Sequence, residues 1–290
     1  MSAKRALKIA CIATLVFAGV EFIGGQMVHS LALIADSAHL LADAGALGLA
    51  FFASWIAAQP ATRKMSYGFH RFEILTALVN GVSLVTISIF IMREAMIRFH
   101  TPVRILSGPM IALALSGLIF NLSVAFSLRR PAKESVNVRS AFYHVVADLL
   151  GSVGVLAAGL VVWKTGWFYA DPLASMGIAI LIIGGAWKIL RDVAEVLLEA
   201  TPSRVNIAVL ESRLLSITGV EEICDLHVWT ISSGKEALSA HLGIHSGANP
   251  DLLLKEVNVV LSSEFDIHHA TIQFEKATQK PHRPHDIHSF

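Results

Sequence analysis

The sequence predicts an α-helical membrane protein. Six transmembrane helices are followed by a small α+β domain of order αββαβ. Three observations predict it. The 290 residues are 54% hydrophobic and only 16% charged, with a mean hydropathy of +0.61, a composition that goes with long apolar spans rather than a soluble globule. The apolar runs are confined to residues 1–200, whereas residues 201–290 have the mixed composition of a soluble unit. Six windows in the first part reach the length of about 20 apolar residues that a membrane crossing needs.

Taken in order, the spans are expected near 7–27, 31–57, 71–98, 107–129, 138–163 and 172–198. The first follows a basic start, MSAKRALK, that a secretory signal would share, but it runs on through Glu21 to Gly24 and Gly25 without a small-residue cleavage site. It is read as a retained span. Pro109 stands near the start of the fourth span, and Asp171-Pro172 opens the sixth, with Asp171 expected as its N-cap. Basic residues set the orientation. With the N-terminus in the cytoplasm, the inner side holds Lys4, Arg5, Lys8, Arg63, Lys64, Arg71, Arg129, Arg130, Lys133 and Arg139. The outer side holds Arg93, Arg98, Arg104 and Lys164. An even number of spans then returns the C-terminus to the cytoplasm.

After Thr201-Pro202, residues 203–217 have helical periodicity through Ile207, Leu210, Leu214 and Leu215. Residues 220–232 read as a strand, Ser232-Ser233-Gly234-Lys235 as a hairpin turn, and 236–245 as a second strand. Asn249-Pro250 opens a helix to about Phe265, and 268–275 make a last strand. The domains expected are 1–200 for the spans, 201–277 for the α+β unit and 278–290 for a flexible, His-containing tail.

The chemistry concentrates in two spans. The second contains HLLAD, placing His39 four residues before Asp43. The fifth contains HVVAD, placing His144 four residues before Asp148. Four residues is about one helical turn, so each pair shares a face. Ionisable groups within a span are costly and mark pathways or binding sites. Two imidazoles and two carboxylates suit a small divalent metal, zinc above all, and the two Asp charges balance a dication. The expected function is carriage of a divalent metal ion across the membrane. Asp36 precedes His39 by three residues and can lie near the same face, either supporting the ligands or solvated near the span end. Glu21, Asn80 and Asn121 also lie within spans, where cavity lining and interhelical hydrogen bonding both account for them.

Other classes fare worse. The sequence has no HExxH and no nucleophile paired with a base, so no enzyme is expected. A closed four-ligand site holds an ion too tightly for a channel. A membrane metal sensor that binds without transport is the alternative. The two cysteines, Cys11 and Cys224, form no CxxC and so suggest neither a disulfide framework nor a thiolate site within one chain. The net charge of +1 says nothing about nucleic acid, but there is no concentrated basic stripe, and no nucleic-acid partner is expected.

These motifs resemble the cation diffusion facilitator family of metal/proton antiporters over nearly the whole chain. The resemblance rests on ADSAHLLAD in the second span, YGFHRFEILTALVNG leading into the third, HVVADLLGS in the fifth, YADPLAS at the sixth, and the αββαβ domain. It implies transport of Zn2+, with Cd2+ or Co2+ as possible companions, by a site on the second and fifth spans, with protons as counter-ion. His-x3-Asp in both spans resembles the zinc-transporting branch. Branches favouring manganese or iron tend to carry Asp in place of the second-span His. The resemblance further implies a homodimer joined through a ferredoxin-like, metallochaperone-like cytoplasmic domain. The inner membrane of a bacterium is the location expected. LHVW, SAHLGI and HHATIQFE resemble the family's regulatory zinc site, which implies ligands at His227, His241 and Glu275, then His268, preferred to His269 by alignment alone. In some members the loop after the second span holds a further metal; here it offers only His70. Some relatives carry a histidine-rich loop between spans four and five, and here that loop has no histidine. His282, His285 and His288 instead lie in the tail, as a weak metal trap or a plain polar end.

Overall fold

The computed structural model describes residues 3–129 and 136–276. Side chains are described from residue 11 onward, and between 136 and 147 for 142, 145 and 146 only. The tail histidines His282, His285 and His288 lie outside the described residues.

Six long helices come first: α1 (Ala3–Val28), α2 (Leu31–Ala57), α3 (Phe72–His100), α4 (Ser107–Leu128), α5 (Val136–Thr165) and α6 (Ala170–Leu197). All six contain a stretch long and apolar enough to cross a membrane. The chain then forms α7 (Ile207–Leu215), β1 (Val220–Ser232), β2 (Lys235–Ile244), α8 (Pro250–Glu264) and β3 (His269–Lys276). Two compact units result. One comprises residues 1–52 and 76–190. The other comprises 53–75 and 191–290, and so takes in one end each of α2, α3 and α6.

The first unit inverts the surface of a soluble protein. Phe51, Phe126, Trp163 and Trp187 are exposed, whereas Glu21, Asp36, Asn121, Asp148, Ser152 and Asp171 are buried. That distribution fits a lipid solvent, in which polar groups turn inward and pair across helices. α4 packs along α5 and against α1, where the Phe17 and Phe120 rings stack with centroids 4.6 Å apart. Leu33, Met110, Val155, Ala158, Ile178 and Ile182 belong to the apolar core between the helices.

Asp171 corrects the sequence reading. It lies inside α6 rather than ahead of it, and its carboxylate caps a different helix. Asp171 Oδ2 accepts the Leu31 N–H at 2.8 Å. Its Oδ1 accepts the Ala32 N–H at 3.2 Å and the Ser30 hydroxyl at 2.5 Å. The orphan donors at the start of α2 are thus satisfied from α6. Arg98 adds a cation 3.7 Å from Asp171 and donates to the His29 carbonyl at 2.7 Å. His29 has the positive φ of 59° at this corner.

In the second unit the sheet order is β1-β2-β3, with β1 and β2 antiparallel and β2 and β3 parallel. The parallel pairing needs a crossover, which α8 supplies. Ser232 pairs with Lys235 across the expected turn, where Gly234 has φ 70°. The first helix is shorter than the periodicity of 203–217 suggested. Pro202 and Val205 close a turn instead, and the Asn206 side chain then caps α7 by accepting from Ala208 and Val209. Asn249 caps α8 in the same way, with Pro250 in its first turn. Leu238, Ala240 and Leu242 face the core with Leu210, Leu214, Val257 and Leu261, which leaves the opposite face of the sheet open.

Candidate metal centre

His39 and Asp43 occupy successive turns of α2, and His39 Nε2 lies 3.5 Å from Asp43 Oδ2. α5 brings Asp148 to the same nitrogen, with its Oδ1 also 3.5 Å away. One ligand atom from each of the three residues lies within 4.8 Å of the others, a grouping able to hold a metal ion. The spacing is chemically specific. Two ligand atoms, each about 2.0–2.1 Å from a tetrahedral zinc, lie about 3.4 Å apart. Both His–Asp distances therefore match the edge of a zinc tetrahedron and exceed the usual length of a hydrogen bond between these groups. Asp148 is buried, while His39 and Asp43 are half-buried, so the three span a gradient from interior to accessible surface. His144 stands on α5 one turn before Asp148; its side chain lies outside the described residues.

Asp36 is buried and reaches toward α5. Its Oδ2 accepts the Ser152 hydroxyl at 3.4 Å, and Ser152 Oγ accepts from Asn121 Nδ2 at 3.0 Å. Asp36 Oδ1 lies 2.9 Å from where a β-carbon on Gly151 would stand. Glycine is what lets α5 approach that carboxylate. Asn121, left open in the sequence between cavity and hydrogen bond, makes the interhelical hydrogen bond. Ser152 escaped the sequence reading because a serine in a span carries no signal until its neighbour is known.

The second unit gathers another group on the open face of the sheet. His227 on β1 pairs with Ser239, and His241 on β2 pairs with Cys224 on one side and Gln273 on the other. The register is broken between Cys224 and His227, where Asp225 has φ 51°. Such a bulge re-aims a side chain. Asp225 Oδ1 lies 2.8 Å from His227 Nε2, and its Oδ2 lies 3.8 Å from His241 Nε2. His241 Nδ1 in turn lies 3.1 Å from Glu275 Oε1. Asp225, a residue the sequence reading missed, thus bridges His227 and His241, and His241 in turn meets Glu275. Its signal, an acid two positions before His227, is legible only beside the bulge. Burial of the Cys224 thiol, reinforced by the carboxylates of Glu222, Glu275 and Asp225, pushes it up to about 11.

His268 is not brought into this group. It precedes β3 and contacts Asp266 at 3.0 Å. The register sets it at the far end of β3 from Glu275, since its neighbour His269 pairs with Ala237 and Glu275 pairs with Gly243. His70 lies 2.8 Å from the Lys235 ammonium through its Nε2, and a fixed cation there opposes a metal on the same ring.

Comparison with known proteins follows the two halves of the chain. Residues 7–198 match the model of the cation efflux transmembrane domain, and residues 202–277 match that of the cation efflux protein cytoplasmic domain. The metal cation efflux system protein CzcD of Cupriavidus metallidurans is 40% identical over 94% of this chain and 87% of its own. The cadmium, cobalt and zinc/H(+)-K(+) antiporter of Bacillus subtilis is 35% identical over 94% of this chain and 89% of its own. The zinc transporter ZitB of Escherichia coli is 38% identical over 88% of this chain and 82% of its own.

Proposed function

Because the chain belongs to the cation efflux family, the cation diffusion facilitators, we propose that it binds Zn2+ on His39, Asp43, His144 and Asp148 and exports it from the cytoplasm in exchange for protons. It is a divalent metal cation efflux transporter, in a family of transporters rather than enzymes. The observation that carries the zinc assignment is the approach of α2 and α5. It sets His39 Nε2 3.5 Å from an oxygen of Asp43 and 3.5 Å from an oxygen of Asp148, each the length of a tetrahedral coordination edge.

The donor set also supplies the exchange. Metal binds neutral imidazole and ionised carboxylate, so every proton on these groups competes with it. An imidazole that titrates near about pH 6.5 changes charge within the range where the exchange operates. A site open to the cytoplasm loads Zn2+ and sheds protons. Once turned outward it takes up protons, releases Zn2+ and returns. An inward proton gradient then drives the cycle, since each state is favoured by the ligand abundant on its side.

Residues 1–200 form the transport part. Residues 201–277 form a cytoplasmic part that pairs two copies of the chain and responds to metal at His227, His241 and Glu275, with Asp225 as a further donor. Both termini lie in the cytoplasm, and the membrane is a bacterial inner membrane.

The test is zinc uptake into sealed inside-out or reconstituted vesicles under an imposed pH gradient, with the native chain and Asp43→Ala. Gradient-driven flux that vanishes in the variant is expected. Zinc bound at equilibrium but never moved would make the protein a sensor.

A further inference from the structure

We propose that Glu21 is a proton-binding site of the exchange, separate from the metal ligands. The proposal rests on the proton-coupled reading above. Glu21 is only 2% exposed on the face of α1 that packs on α4. Its Oε1 lies 3.3 Å from the position of a β-carbon on Gly117, so a residue without a side chain makes room for the carboxyl. Its Oε2 is buried with no hydrogen-bond partner among the described residues. The stacked pair of Phe17, one turn before it, and Phe120 walls this pocket with apolar surface.

A bare carboxylate in such a place costs far more than a neutral carboxylic acid, so the group is built to hold a proton. Among the described residues, the titratable group facing it is Asp36 on α2, and His39 and Asp148 lie within electrostatic reach of Asp36. α4 presents Gly117 and Asn121, and α5 presents Gly151 and Ser152, none of which titrates. Asp36 is held toward α5 by the Ser152 hydroxyl, itself fixed by Asn121. It therefore stands as a buried carboxyl within electrostatic reach of Glu21 on one side and of His39 and Asp148 on the other. When Zn2+ arrives beside His39 and Asp148, its positive field reaches Asp36 and Glu21 and favours the ionised form of the Glu21 carboxyl. The proton leaves the Glu21 carboxyl, and one positive charge departs against the two that arrive. Release of the metal removes that field, and the proton returns.

The experiment uses the full chain, purified and reconstituted, as native protein and as Glu21→Gln. Calorimetric zinc titrations in buffers of different ionisation enthalpy give the protons released per ion, and vesicle flux gives the response to a pH gradient. Glu21→Gln should bind Zn2+ within about twofold of the native affinity while releasing about one proton fewer per ion, and its flux should respond less to the gradient. An unchanged proton count overturns the proposal. So does a folded variant that no longer binds Zn2+, because Glu21 would then belong to the metal site. If Glu21→Gln does not fold, Glu21→Asp should move the pH midpoint of zinc-linked proton release, and an unmoved midpoint overturns the proposal. A native chain that binds zinc without transporting it overturns the transport reading instead, while the proton count at binding still decides the role of Glu21.

Discussion

His39 keeps the same 3.5 Å from Asp43 on its own helix and from Asp148 on another. The first distance follows from a spacing of four residues; the second is a fact of packing. Asp148 is the more buried of the two carboxylates, so it has less water to replace a lost partner. Asp148→Asn keeps the shape and removes the charge. By the scale of a broken buried ion pair, about 3 kcal/mol, zinc affinity should fall by about 100-fold, measured by competition with a chelating dye. Cys224 offers a separate check on the sheet. Thiolate, the reactive form, is opposed by burial and then by the Glu222, Glu275 and Asp225 carboxylates, which hold the thiol up to about 11. Alkylation should therefore be slow at neutral pH and rise about tenfold per pH unit up to that value. A rate that levels off near pH 8 would show that these carboxylates do not crowd the sulfur.

At the scale of the element, α2 depends on α6 for its beginning. Asp171 satisfies two backbone donors and a hydroxyl at the head of the helix that carries His39 and Asp43. Asp171→Ala leaves those donors buried and Arg98 without its carboxylate. A loss of about 2–3 kcal/mol is expected, read as a lowered melting temperature in detergent. Asp171→Asn, which keeps one acceptor, should lose less. Equal losses would mean that charge, not capping, is what Asp171 provides. The sequence pointed to Asp171 as a helix cap and was right about the chemistry. It misassigned the helix, because Asp-Pro at a helix start looks the same whichever N-terminus the carboxylate serves.

For the whole molecule, the second unit takes in the loop between α2 and α3 as well as the sheet. Within it Tyr67 meets His269 edge to face with centroids 5.5 Å apart, His70 meets Lys235, and Arg71 pairs with Glu199 at 3.0 Å. The segment leading into α3 is therefore held by the domain proposed to respond to metal. Replacing His227 and His241 together by Ala should shift the zinc concentration that half-activates transport by about threefold or more, given the affinity change expected when ligands are lost. Maximal flux should remain. Vesicle flux across a zinc series measures it, and an unchanged half-activation would remove the regulatory role.

The sequence by itself determined the six spans, the αββαβ order, the Asn249-Pro250 start of α8, and the two His-x3-Asp pairs. Each is written in local spacing or in composition, and helical and strand periodicity carry it without reference to the rest of the chain. Tertiary structure alone decided which groups converge. It joined Asp148 to His39, set Asp36 against Ser152 and Asn121, and left His268 with Asp266. It also aimed Asp225 between two histidines through a bulge that no pattern of residues announces. The physical reason is that convergence depends on how far each helix is rotated and how each strand is registered. A shift of one residue in register turns a side chain to the opposite face of the sheet.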